Sequence, residues 1–112
     1  MSKYNWMDPA DVLAWVPVAD KLGVSKVARS PGGFVMAFLQ AKGDKALSPE
    51  WKRKRNAFVA RHLAQVRKRN EPMFTDMGVP TRRHLALIMW AYTPQPARLR
   101  RVQEFLLSLR RR

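Results

Sequence analysis

Side chains able to do acid–base or nucleophilic chemistry are few in this sequence: two His, eight carboxylates and no Cys among 112 residues. A disulfide framework and a thiolate zinc site are therefore excluded. No His-Glu-x-x-His run supplies a hydrolytic metal centre, and neither a Gly-x-Ser-x-Gly elbow nor a Gly-x-x-x-x-Gly-Lys phosphate loop occurs. His62 falls near the apolar side of a helical segment, where a packed or rim residue is expected rather than a base. His84 follows Arg82 and Arg83, whose charges depress its proton affinity. Asp8 and Asp11 form the closest acidic pair, and a helix start accounts for both. These residues assemble no recognisable catalytic constellation, so no enzyme, no cofactor and no metal is expected.

The cations point elsewhere. Lys and Arg number 22 against 8 Asp and Glu, a formal charge of +14. In a small protein such a density signifies a polyanionic partner. Residues 1–47 hold six basic and four acidic side chains, whereas residues 48–112 hold sixteen and four. The binding function is thus expected in the second part, with the first as a near-neutral scaffold. Arg outnumbers Lys 14 to 8, and its planar fork suits phosphate oxygens and guanine edges.

Two arrangements would present these cations. On a helical wheel started at Trp51, the positions Trp51, Phe58, Val59, Leu63 and Val66 share one apolar arc of about 140°. Arg53, Lys54, Arg61, Arg67 and Lys68 cover the opposite side, interspersed with Ala57, Ala60 and Ala64, which would let that side lie close to a phosphate backbone. A second candidate is Gly78–His84, a turn delivering Arg82 and Arg83 to a helix start, with limited base readout from either. Arg98 and Arg101 complete the expected phosphate contacts. Nucleic acid, with DNA preferred to RNA, is the partner this predicts, in the role of a regulator or accessory factor. RNA is a close variant, ranked lower because sequence-specific RNA readers usually stack bases on an RNP-like aromatic strand or use a Gly-x-x-Gly clamp, and neither is present. The alternative is an interaction module, inhibitor or antitoxin-like, docking on an acidic protein with Arg and Trp as anchors. Exposure of Trp6, Trp15 or Leu107 in one patch would favour it.

The elements that must position these residues are marked by Pro following a capping residue, as in Asp8-Pro9, Ser30-Pro31, Ser48-Pro49 and Thr93-Pro94. Helices are predicted over Pro9–Trp15, stopping before Pro17, then Val18–Leu22 closed by Gly23, Phe34–Lys42 closed by Gly43, and Pro49–Arg69. Thr81 caps a further helix from Arg82 to Tyr92, apolar on nearly all sides and so central. Thr93-Pro94 opens the last, whose Leu99, Val102, Phe105, Leu106 and Leu109 return it to the core. Arg110–Arg112 at the end should fray. Glu71–Pro80 reads as an ordered loop plugging the core through Phe74. Ile occurs once and alternating patterns are scarce, so the fold class is all-α, a single-domain bundle of about five or six helices.

Val18–Ala28 resembles the centre of a helix-turn-helix. Ala19, Gly23 and Ser25 occupy the family's small residue, turn glycine and recognition-helix start. The resemblance covers about a dozen residues and implies that Lys26 and Arg29 face a groove. Arg29 stands where the family has a buried aliphatic residue, and Ser30-Pro31-Gly32-Gly33 leaves room for little more than one turn. Two scaffold helices joined by a glycine turn explain the same residues. The longest apolar run, Leu85–Tyr92, is far short of the roughly twenty residues of a membrane span. Met1–Trp6 has no apolar signal core. A cytoplasmic, prokaryotic protein without a membrane partner is the expectation, its oligomeric state open.

Overall fold

The structure, a computed structural model, describes residues 4–110, the Arg110 side chain excepted, so the expected fraying of the terminal arginines lies outside it. Five helices follow in order: α1 (Pro9–Leu22), α2 (Phe34–Gln40), α3 (Pro49–Arg69), α4 (Arg82–Ile88) and α5 (Pro96–Arg110). The class is all-α, and its β structure among the described residues is one isolated bridge, Phe74 to Pro80. α1 packs against α2 and α4, and α4 against α3. None of the described helices is long and apolar enough to cross a membrane.

α3 forms as its punctuation predicts. Ser48 is extended and its side chain accepts from the Trp51 N–H at 3.3 Å, Pro49 follows, and Asn70 closes the helix in the left-handed region. The front of the chain departs from expectation, because α1 runs straight through Pro17. The proline removes one hydrogen bond, at a usual cost of about 3 kcal/mol. Here the loss falls on the wet side: Leu13, whose carbonyl lacks its partner, is 54% exposed, and Pro17 is exposed one turn above it. Val12, Trp15 and Ala19 on the opposite side are buried and hold the two halves as one element. Gly23 then ends α1 in the left-handed conformation, with Val24 N–H donating to the Ala19 carbonyl at 2.9 Å.

No recognition helix follows that turn. Ser25–Arg29 forms turns, Ser25 itself has φ 55°, and Arg29 folds back to donate to the Val24 carbonyl and to Asp20, both at 2.8 Å. The chain is led away toward α2 by Gly33, where a Cβ would collide with the carbonyl oxygens of Val27 and Ala28.

α4 ends at Ile88 rather than Tyr92. Ala91 adopts φ 60°, Tyr92 N–H returns to the Leu87 carbonyl at 3.1 Å, and Met89 and Ala91 are fully buried. α5 begins at Pro96 rather than Pro94 because Thr93 turns inward to His84. Its stripe is only half covered: Leu99 is buried and Val102 and Leu106 pack on the core, but Phe105 is 62% and Leu109 48% exposed. The core itself is joined by a stacked ring series, Trp6–Phe38–Phe34–Trp90–Phe58–His62, with centroids 4.0 to 5.9 Å apart. Phe74 plugs it as predicted.

Candidate nucleic-acid interface

The five α3 cations keep their separation from the core. Arg53, Lys54, Arg61, Arg67 and Lys68 are all exposed, and among the described residues none forms an ion pair. Ala57 and Ala64 between them are exposed as well. From Arg53 to Lys68 the stripe runs about 22 Å at 1.5 Å per residue. Lys54 Nζ lies 5.1 Å from the Trp51 ring, and Arg67 donates weakly to its own helix at 3.5 Å, so both charges stay at the surface.

The other predicted residues are differently placed. Arg82 is exposed but tethered, its Nη1 donating to the Leu22 carbonyl at the end of α1 at 2.7 Å. Arg83 is largely covered and grips Glu71 with two bonds, 2.7 and 3.1 Å, which holds the carboxyl below its usual range and raises the guanidinium further. Arg98 is exposed on α5 and lies 4.0 Å over the Phe74 ring. Arg101 is exposed beside Phe105 and the Met77–Val79 turn. Arg100, between them, is held by Asp11 at 2.7 Å and Asp8 at 3.5 Å. The structure therefore brings the α3 cations together, sets Arg82 and Arg83 in one cleft with His62, which Arg83 touches at 2.8 Å, and leaves Arg98 and Arg101 on a helix that docks through α1, where Trp15 Nε1 donates to Gln103.

Two buried polar groups stand apart: Arg55 was not singled out from sequence, and His84 was, but as a residue whose proton affinity neighbouring arginines depress. Arg55 is fully buried, donating to the carbonyls of Tyr4, Asn5, Trp90 and Ala91 and to the Asn56 side chain, with Trp6 stacked 3.9 Å from its carbon. No described carboxylate pairs with it, and burial lowers its pKa to about 10, leaving it charged at neutral pH. The signal existed: Arg55 falls about 40° from Trp51 on the wheel, inside the apolar arc. His84 is likewise fully buried, lowered to about 4 mainly by burial rather than by its arginine neighbours. Its Nδ1 must donate to the Met73 carbonyl at 2.8 Å, so Nε2 accepts from the Thr93 hydroxyl at 2.7 Å. Neither side chain is free for chemistry. Among the described residues no group of three or more His, Asp or Glu could hold a metal ion.

Comparison with known families, with curated proteins and with solved structures finds no match to this chain.

Proposed function

We propose that this protein binds nucleic acid, duplex DNA in preference to RNA, by laying the outer side of α3 along the phosphate backbone. The observation that carries the reading is the uncompensated stripe of Arg53, Lys54, Arg61, Arg67 and Lys68, whose intervening alanines permit close approach. Each neutralised phosphate contributes about 0.9 to the slope of log K against log salt, so five contacts give a slope of roughly −4.5. Titrating a fluorescent duplex over a range of salt concentrations tests this. A flat salt response, or no binding at low salt, overturns it. No helix-turn-helix enters this reading, since Lys26 and Arg29 lie in a turn and Arg29 is engaged internally.

A second reading rests on a separate observation. Trp15 is buried and Trp6 half-buried, so neither is a free anchor, but Phe105, Leu107 and Leu109 are 42 to 62% exposed at the end of α5, and Met77 is 87% exposed. An acidic protein covering that end is the alternative. Unchanged partner affinity after Phe105→Ser would remove it.

A further inference from the structure

The α3 stripe borders a cleft of about 420 Å³ between the Gly23–Ser25 turn, His62 on α3, Glu71, and Arg82, Arg83 and Ala86 on α4. Within it the one carboxylate, Glu71, is already occupied by both arms of Arg83. A third N–H of Arg83, from Nη1, meets His62 Nδ1 at 2.8 Å. A guanidinium can only donate, so Nδ1 accepts and the neutral ring carries its proton on Nε2. Phe58 stacks on the imidazole with centroids 4.0 Å apart and fixes its plane. Arg82 is braced from the other wall by the Leu22 carbonyl, and the rest of its fork has no hydrogen bond among the described residues. Burial first, and then the charges of Arg83 and of the adjoining Arg61 on α3, disfavour a charged His62. The cleft thus offers donors and positive charge, with its acceptor groups satisfied from within.

We propose that this cleft binds a phosphate group, held by the free edge of Arg82, the remaining N–H groups of Arg83 and the Nε2–H of His62. Charge-assisted donors held in place by other contacts are suited to a phosphate oxyanion. The proposal rests on the nucleic-acid reading for its source of phosphate, a backbone phosphodiester or a terminal monoester, but its chemistry can be tested without nucleic acid. The site is built from side chains of two helices and needs no free helix-end N–H; that of His84 is already taken by Thr81.

Histidine-selective ¹⁵N spectra of the full chain would be recorded against inorganic phosphate, and against sodium chloride at equal ionic strength. The His62 signals should shift saturably with phosphate alone. Arg82→Gln, exposed and checked for fold by circular dichroism, should weaken that binding about tenfold or more, and Lys45→Gln should leave it unchanged. An equal response to chloride, or full affinity in Arg82→Gln, overturns the site. Duplexes with 5′-phosphate or 5′-hydroxyl ends then separate the sources. Preference for the phosphorylated end assigns a terminal monoester, and equal binding with the same His62 shift assigns the backbone. DNA binding with no His62 shift from inorganic phosphate or from either duplex removes the cleft and leaves the α3 reading standing. Saturable phosphate binding without DNA binding does the reverse.

Discussion

Arg53 and Arg55 stand two residues apart on α3, and the helix turns them to opposite environments. Arg53 is exposed and forms no ion pair among the described residues, in a row of cations separated by alanines. Arg55 is enclosed and meets four backbone carbonyls, of which Ala91's is shared with the Met7 N–H, where α4 ends and the N-terminal segment crosses it. One guanidinium is available because nothing among the described residues accepts from it. The other is a structural strut because its acceptors are internal. The difference between the two sides of one helix lies in where acceptors are, and that is open to mutation.

The largest effect belongs to the inner side. Arg55→Met keeps the length of the side chain but leaves the carbonyls of Asn5 and Trp90 without their donor, while that of Ala91 keeps the Met7 N–H. Replacing a buried ion by an apolar group can be neutral when its partners are removed too. Backbone carbonyls cannot be removed, and each unsatisfied one costs about 1–3 kcal/mol. A loss of about 4 kcal/mol in urea unfolding is expected. A loss under about 1 kcal/mol would show that the carbonyl cage is not what joins α3 to the end of α4.

Next is His84 on α4, buried and neutral. Its folded pKa of about 4 lies below its ordinary 6.5, so between those values the unfolded chain binds more protons. The stability it contributes is fully present above pH 6.5 and is lost as pH falls through about 4, amounting to about 3 kcal/mol over that window. Urea midpoints measured from pH 7.5 to 4 should fall accordingly, and His84→Gln should flatten the profile. An unchanged slope in that variant would assign the acid sensitivity to other groups.

These two groups also mark what could be read from the residues alone. Helix α3, its Ser48 cap and the Gly23 stop were legible because each rests on a local rule: a hydroxyl over free N–H groups, or a residue free to take positive φ. The cationic side of α3 was legible from period alone. The failures share a cause, which is that tertiary partners overrode local signals. Pro17 reads as a stop, but its lost hydrogen bond faces water and Trp15 and Ala19 keep the helix together. Ala91 takes a left-handed conformation with no glycine to announce it, its carbonyl accepting from both Arg55 and Met7. Thr93 looks like a cap, and its hydroxyl does accept from the Gln95 N–H at 3.3 Å, but it is turned inward to His84 at 2.7 Å and the helix starts at Pro96 rather than Pro94. Arg83 and Glu71 are twelve residues apart, and no spacing rule pairs them across a loop.

On the outer side the measurable quantity is binding. Arg61→Ala should reduce the magnitude of the salt slope by about 0.9 and weaken all sequences alike, since a phosphate contact carries no base information. Arg100→Ala should leave the slope unchanged, because Asp8 and Asp11 already hold that charge. Equal effects from the two would mean that net charge, and not an uncompensated stripe, governs binding.

The smallest expected effect is the sharpest check on the comparison. Arg53→Ala removes an exposed side chain with no ion pair, and alanine is the better helix former by a few tenths of a kcal/mol. It also relieves repulsion from Lys54 and the other cations along the stripe. The change in unfolding free energy should therefore stay within about 0.5 kcal/mol, with its sign toward stabilisation. Measured beside Arg55→Met in the same urea series, it sets two arginines of one helix turn at opposite ends of the scale. A loss above about 1 kcal/mol for Arg53→Ala would mean that the outer side of α3 supports the fold, and that its cations are held for packing and not kept free for a polyanion.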